Sequence, residues 1–105
     1  MRGVAHCFTG SWRVAEKYLA KGLLLSFTGI VTYGLDYDKV LENTPLDKMM
    51  LETDCPYLAP GPYKGNRAEP WMVKLVAEKI ATVKEIIPQA VIDQTSQNAE
   101  KLFGI

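Results

Sequence analysis

The sequence predicts an α/β fold in which parallel strands alternate with helices, and two features of the chain lead to this interpretation. In the first half, short apolar runs alternate with segments in which apolar residues recur at the helical period. The run at residues 23–27 is apolar at nearly every position, which is typical of a strand buried on both faces of a parallel sheet. Strands that are joined through helices make right-handed crossovers and therefore lie parallel to one another.

The elements of the first half, residues 1–54, are predicted from their apolar patterns and from the residues at their ends. Ser11 is a good N-terminal cap for the first helix, and Gly22 suits the position just after its last turn. Asp36 is predicted to cap the second helix, which Pro45 ends because proline cannot continue a helix. The predicted strands cover residues 3–8, 23–27 and 49–53, and the predicted helices cover residues 12–21 and 36–43.

The second half is predicted to be a long loop followed by helices. Residues 55–70 contain a cluster of prolines and glycines, and a loop of this length is usually functional or disordered. In the helical part, residues 71–105, Pro70 suits the first turn of a helix that ends before Pro88. The predicted helices cover residues 71–86 and 89–102. Residues 95–98 can interrupt the second one, because Ser and Thr compete for backbone hydrogen bonds.

The composition is that of one ordinary globular domain, and it narrows the functional classes. Hydrophobic residues make up 48% of the 105 residues, which argues against intrinsic disorder. The 12 Lys and Arg residues balance the 12 Asp and Glu residues, so a polybasic nucleic-acid binder is excluded. No apolar run reaches the roughly 20 residues of a membrane span, and the first residues lack the apolar core of a signal peptide. We therefore expect a cytoplasmic protein with no membrane partner.

The two cysteines, Cys7 and Cys55, are too few for a disulfide scaffold and form no metal-binding pair of their own. Strand alternation points Cys7 away from His6, so both thiols are predicted to be reduced and to fill small apolar spaces. A single disulfide between them is one alternative. The other is a zinc–thiolate site, because the cysteines directly follow His6 and Asp54.

Polar residues lie where two of the predicted strands end, which is where α/β folds place their sites. His6 is near the end of the first strand and Asp54 follows the third, and both residue types commonly bind divalent metals. A structural role for His6 and a turn cap before Pro56 for Asp54 are the plainer interpretations. Glu52 shares a strand face with Asp54, which suggests acid–base chemistry or cation binding, or else an ion pair with a nearby Lys or Arg.

The long loop carries a second candidate site around Lys64 and Arg67, next to Tyr63. Arg67 suits a phosphate group because its guanidinium makes bidentate contacts. A solvated loop is the plainer interpretation. A plain phosphate-binding module without hydrolysis is a further alternative, although the neutral net charge disfavours strong binding to duplex DNA.

Five ordered motifs span the whole chain, at residues 6–11 (HCFTGS), 23–31, 51–58 (LETDCPYL), 65–70 and 95–103. Together they resemble the motifs of the TatD-like metal-dependent deoxyribonucleases. Residues 6–11 (HCFTGS) resemble the family's HCFSG segment, and residues 51–58 (LETDCPYL) resemble its LETD-[SC]-P-[FY]-L signature. Residues 23–31 (LLLSFTGIV) are similar to a strand of that family, and residues 65–70 (GNRAEP) are similar to its G-x-R-N-E-P loop. Residues 95–103 (TSQNAEKLF) are similar to its C-terminal T-x-x-N-A-x-x-L-F.

The resemblance implies the C-terminal portion of a (β/α)₈ TIM barrel, with a divalent-metal site at the C-terminal ends of the strands. It implies hydrolysis of DNA phosphodiester bonds by a metal-activated water, with Mg, Mn or Zn as the metal. The family's ligand roles carry over to His6 and Asp54, and Arg67 takes a supporting or phosphate-contacting role. Glu52 is expected to orient one of the metal-binding side chains without contacting the metal itself.

Departures from the family pattern limit what this chain is expected to do alone. A complete barrel has about 250 residues, and the family's N-terminal HxH pair, a Glu ligand and a further His have no counterpart here. Thr9 replaces the usual Ser, and Ala68 replaces the Asn of the loop. We expect a fragment that is inactive or nearly so. The alternative is a non-catalytic half-barrel that covers its open strand edges by self-association or by complementing an N-terminal half.

Overall fold

The computed structural model describes residues 3–34, 36–52, 61–67 and 69–104, and it shows strands alternating with helices and then a helical pair. The strands are β1 (Val4–Ala5), β2 (Leu24–Phe27) and β3 (Met49–Leu51). The α-helices are α1 (Trp12–Ala20), α2 (Asp38–Asn43), α3 (Val73–Lys84) and α4 (Pro88–Phe103). Short 3₁₀-helices lie at Gly29–Thr32, Leu46–Lys48, Gly61–Tyr63 and Pro70–Met72.

The strands form one parallel sheet in the order β1-β2-β3, so the predicted α/β class with parallel strands is confirmed. Val4 pairs with Leu24, and Leu25 pairs with Met49. Because the strands are parallel and in this register, their C-terminal ends meet at one edge of the sheet. Within the described residues, β1 and β3 each pair with β2 alone, so each has one open side.

The core lies between the sheet and the helices that cross over it. Leu25 and Phe27 of β2 are fully buried, which agrees with the apolar run that predicted this strand. From α3, the same core receives Val76, Ala77 and Ile80. This packing fixes the middle strand, and with it the edge of the sheet where the strands end.

The first strand is shorter than predicted because the chain turns before residue 8. β1 ends at Ala5, and Cys7 has a left-handed backbone with φ 48°. A strand cannot continue through that conformation, so His6 and Cys7 lie in a turn. The chain then returns to the sheet, where the Phe8 amide donates to the carbonyl oxygen of Ser26 at 2.9 Å.

The helix ends follow the predicted signals at α1 but not at α2. The Ser11 hydroxyl accepts a hydrogen bond from the Val14 amide, and Gly22 has φ 82°, so both predicted end signals of α1 are confirmed. Asp36 was wrongly predicted as a cap, since α2 begins at Asp38 after Tyr37 and has no side-chain cap. The extended backbone at Thr44, just before Pro45, ends that helix.

The two long helices of the second half differ from the prediction at several points, one of which is that α3 ends at Lys84 and not at residue 86. A 3₁₀ turn precedes α3, so the α-helix begins at Val73 and not at residue 71. Pro88 begins α4 because its fixed φ suits the first helical position. The predicted interruption at residues 95–98 is wrong: the Thr95 hydroxyl donates to the Val91 carbonyl of its own helix, and α4 continues to Phe103. No helix within the described residues is long and apolar enough to cross a membrane.

Candidate metal centre and the adjoining loop

His6 and Glu52 meet at the edge where the strands end. His6 follows β1 and Glu52 follows β3, and Nδ1 of His6 lies 2.7 Å from Oε1 of Glu52. The His6 side chain is 70% exposed, whereas that of Glu52 is 17% exposed. The carboxylate is therefore mostly covered, and it supports an imidazole that reaches toward solvent.

The backbone holds Glu52 in place across the middle strand. Its amide donates to the Phe27 carbonyl at 3.0 Å, which continues the pairing of β3 with β2 by one residue. Its Oε2 accepts a hydrogen bond from the Cys7 amide at 3.5 Å. Because one carboxylate oxygen faces His6 and the other faces the next backbone amide, Glu52 holds the turn after β1 at two points. The sequence offered a Lys or Arg as the partner of Glu52, but the structure gives it His6.

Cys7 lies beside this pair and does not point away along a strand. Its Sγ is 3.6 Å from Oγ1 of Thr28, a buried hydroxyl that also accepts from the Ile30 amide. The prediction that residues 6 and 7 lie in a strand was wrong, so strand alternation does not apply to Cys7 and His6, which both lie in the turn. Asp54 and Cys55 lie outside the described residues, so neither their ligand roles nor the disulfide is described. Within the described ranges, no three His, Cys, Asp or Glu side chains form a cluster that could hold a metal ion.

The chemistry of the donors at His6 fits a metal. A metal-binding histidine usually donates a hydrogen bond from its second ring nitrogen, often to a carboxylate. This bond fixes the ring orientation and raises the basicity of the ligating nitrogen. Glu52 takes that position on Nδ1 of His6, so Nε2 is the nitrogen that would face a metal. A described histidine with a covered carboxylate behind it therefore suits an oxygen- and nitrogen-ligated divalent ion.

A loop is fastened to the same end of the sheet. Thr32 lies in the 3₁₀ turn that follows β2, and its hydroxyl accepts from the Gly61 amide at 2.6 Å. The same hydroxyl donates to the Gly29 carbonyl at 2.6 Å, so it links the loop to the turn. Nζ of Lys64 lies 4.6 Å from the centre of the Tyr33 ring, and burial raises the pKa of the Tyr33 phenol.

The predicted phosphate-contacting residue, Arg67, lies in this loop and is exposed. Among the side chains that the structure describes, no carboxylate forms an ion pair with it. The sequence did not identify Thr32 as the anchor of the loop. Its position after β2, five residues beyond the strand, was the available signal, but its partner is distant in the chain.

The comparisons with known proteins agree with these motifs. A family model described as TatD related DNase matches residues 1–104. The chain belongs to the TatD-related DNase family. An uncharacterized metal-dependent hydrolase of Bacillus subtilis, YabD, is 43% identical to this TatD-family chain over 105 residues. The match covers 98% of the chain and 41% of that relative. A protein of Rahnella named 3'-5' ssDNA/RNA exonuclease TatD is 39% identical, with 98% of the chain and 42% of the relative covered.

Solved structures give the same fold for this TatD-family chain. The crystal structure of YjjV, a TatD homologue from Escherichia coli, superposes with a TM-score of 0.89 at 25% identity. The superposition covers 98% of the chain and 40% of the YjjV chain. A TatD-family hydrolase from Entamoeba histolytica, 21% identical, gives a TM-score of 0.86 and shows the fold alone, with 96% and 42% covered. The chain thus spans about two fifths of the relatives that it matches.

Proposed function

We propose that the chain supplies three strands of a (β/α)₈ barrel, as one partial domain whose loop at residues 55–70 separates the sheet from the C-terminal helices. Within the described residues the parallel sheet has two open sides, which supports this, because a barrel closes both sides with further strands. The TatD-family structures, of which the chain covers about two fifths, support it as well. The remaining strands would then come from sequence outside these 105 residues.

The function proposed for that barrel is hydrolysis of phosphodiester bonds in nucleic acid, with DNA as the substrate, by a divalent-metal-dependent enzyme in the cytoplasm. The contact between Nδ1 of His6 and Oε1 of Glu52 is the observation that carries the proposal. It matches the way in which proteins orient a metal-binding histidine. Family membership and relatives named metal-dependent hydrolases support the same class of chemistry.

Each residue of the proposed centre has one role. His6, through Nε2, and Asp54 would hold Mg, Mn or Zn, which when bound lowers the pKa of a water and polarises the phosphate. Glu52 positions the His6 ring and is not itself a ligand in this proposal. Arg67 would contact a phosphate oxygen of the substrate, since its guanidinium has no carboxylate partner within the described residues.

A non-catalytic role is the second candidate, and the open side of β3 favours it. Leu51 of β3 lines a cavity of about 340 Å³, together with the apolar residues Val73, Ile92 and Ala99 and the polar residues Lys74, Thr95 and Ser96. Apolar side chains around such a cavity are suited to packing against a further strand or helix. The chain would then associate with a second copy or with an N-terminal half-barrel, and it would have no activity of its own.

Native mass spectrometry with added Mn²⁺ or Zn²⁺ tests the proposal together with an assay on single-stranded DNA. We expect bound metal and metal-dependent cleavage in an assembly that completes the barrel. His6→Ala and Asp54→Ala should each abolish both. Metal binding that is unchanged in His6→Ala would contradict the ligand assignment. An assembly that binds no metal and does not cleave DNA would favour the second candidate.

A further inference from the structure

An exposed pair of aromatic rings lies outside the hydrophobic core, one in the loop that is bonded to Thr32 and one in the turn before α3. The rings of Tyr63 and Trp71 meet edge to face, with centroids 5.6 Å apart and an interplanar angle of 85°. Trp71 is 52% exposed and Tyr63 is 36% exposed. Two large aromatic rings that meet at the surface form a candidate binding patch, unlike a single exposed ring, because burying them against a ligand is favourable.

The backbone holds both rings in place before any ligand binds. Tyr63 ends the 3₁₀ turn whose first amide, Gly61, is bonded to Thr32. Trp71 lies in the 3₁₀ turn that leads into α3, next to Met72, which is buried. The Met72 amide donates to the Glu69 carbonyl at 3.0 Å, and the Glu69 amide contacts the Met72 sulfur at 3.4 Å. Two anchored turns thus hold the rings at right angles, so that a base stacked on the face of one ring lies against the other, and this arrangement lowers the entropy cost of binding.

The charges around the rings are complementary to a polyanion. Lys64 directly follows Tyr63, and Arg67 lies between the two rings along the chain. The described segments 61–67 and 69–72 contain these two cations and one acid, Glu69. The whole chain has a formal net charge of zero, so this is a local excess of positive charge. Aromatic rings next to cations are the usual combination in sites that bind single-stranded nucleic acid.

We propose that Tyr63 and Trp71 form a stacking platform for a nucleobase of a single-stranded substrate, while Lys64 and Arg67 contact the adjacent phosphates. This inference rests on the proposed function and specifies its substrate class. In a duplex both faces of a base are covered by neighbouring bases, whereas a single strand offers an open face to a ring. The loop is bonded to the turn after β2, so the platform lies at the end of the sheet that holds His6 and Glu52.

Binding of two labelled oligonucleotides to the full protein tests the platform. One is a thymidine oligonucleotide, and the other is an abasic strand of the same length, which keeps the phosphates and lacks the bases. We expect Trp71→Ala to weaken thymidine binding by about tenfold or more, and to remove most of the preference over the abasic strand. Trp71→Phe should retain most of that preference, because it keeps a ring. Lys64→Gln should weaken both strands alike and reduce the salt dependence of binding.

Phe103→Ala is the matched control, because Phe103 is an exposed aromatic residue at the end of α4, outside the loop. It should leave the preference unchanged. An unmodified protein without a preference for the thymidine strand overturns the platform, and so does equal weakening of both strands by Trp71→Ala. Thermal unfolding of each variant shows whether it is folded. If Trp71→Ala does not fold, Trp71→Phe and Lys64→Gln keep the test decisive.

Failure of the platform is distinguishable from failure of the proposed function. Metal-dependent cleavage of methyl 4-nitrophenyl phosphate by the unsubstituted protein, in the assembly that completes the barrel, tests the function, because this phosphodiester has no nucleobase to stack. Cleavage together with an unchanged preference in Trp71→Ala overturns the platform and leaves the function standing. A preference that depends on Trp71, without any cleavage, supports the platform and overturns the function.

Discussion

Glu85 ends α3 in a left-handed conformation, with φ 57° and ψ 43°. Glycine is the residue that adopts this conformation without steric cost, and it is the usual residue just after a helix. Glu85 is exposed, so its side chain has little packing to lose. We therefore expect Glu85→Gly to raise the free energy of unfolding by about 0.5–1 kcal/mol, measured by urea denaturation.

The same substitution at Glu78 is the control. Glu78 is also exposed, but it lies inside α3, where glycine weakens a helix. Glu78→Gly should lower the free energy of unfolding by about 1 kcal/mol. If both variants are destabilised alike, the conformation at Glu85 is not the left-handed one described.

The pairing of His6 with Glu52 is also a residue-scale result, and the sequence predicted only half of it. The ends of parallel strands indicated where His6 would lie, because strands in this fold class end at one edge. The partner of its ring depended on the register of β1, β2 and β3 together, which local patterns do not contain. The left-handed turn at Cys7 was not predictable either, because a non-glycine residue with positive φ has no strong sequence signal.

At the scale of elements, a side chain from α4 fastens that helix to the start of β3. Nδ2 of Asn98 donates to the carbonyl oxygens of Leu46, at 3.0 Å, and Met49, at 2.8 Å. Asn98 is buried, so removing its amide leaves two carbonyl groups without this donor. We expect Asn98→Ala to lower the free energy of unfolding by about 2–4 kcal/mol in a denaturation experiment.

Gln97→Ala is the control for that prediction, because Gln97 is an exposed amide on the same helix. Its effect should stay within about 0.5 kcal/mol. Equal effects of the two substitutions would show that Asn98 does not fasten α4 to β3.

The element patterns explain why most helices and strands were predictable and why their details were not. The apolar run of β2 and the helical periods of α1 and α3 follow from burial of one face or of both. In α4 the polar residues 95–98 suggested an interruption because the sequence does not show where a hydroxyl or amide finds its partner. Thr95 bonds within its own helix and Asn98 bonds across to the start of β3, so the helix continues.

At the scale of the whole molecule, the cavity of about 340 Å³ that Leu51 of β3 lines is expected to be the surface of the isolated chain that binds apolar molecules most readily. We expect the chain to bind the dye 8-anilinonaphthalene-1-sulfonate, and Leu51→Glu to remove most of that binding because a carboxylate replaces apolar surface and repels the sulfonate of the dye. Ile87→Glu, at an exposed apolar residue outside the cavity, should leave dye binding unchanged. A chain that binds no dye would contradict the proposal that these residues form an incomplete barrel.

The central claim is that His6 faces a divalent metal and that Glu52 positions its ring. Calorimetric titration of Mn²⁺ or Zn²⁺ into the assembled protein and its Glu52→Gln variant tests this most directly. The variant keeps the shape of the side chain and removes the charge behind His6, so metal affinity should fall by about 10- to 100-fold. Glu16→Gln, on the exposed face of α1, makes the same charge change and should leave the affinity unaltered. Equal metal affinity in Glu52→Gln and Glu16→Gln would contradict the account.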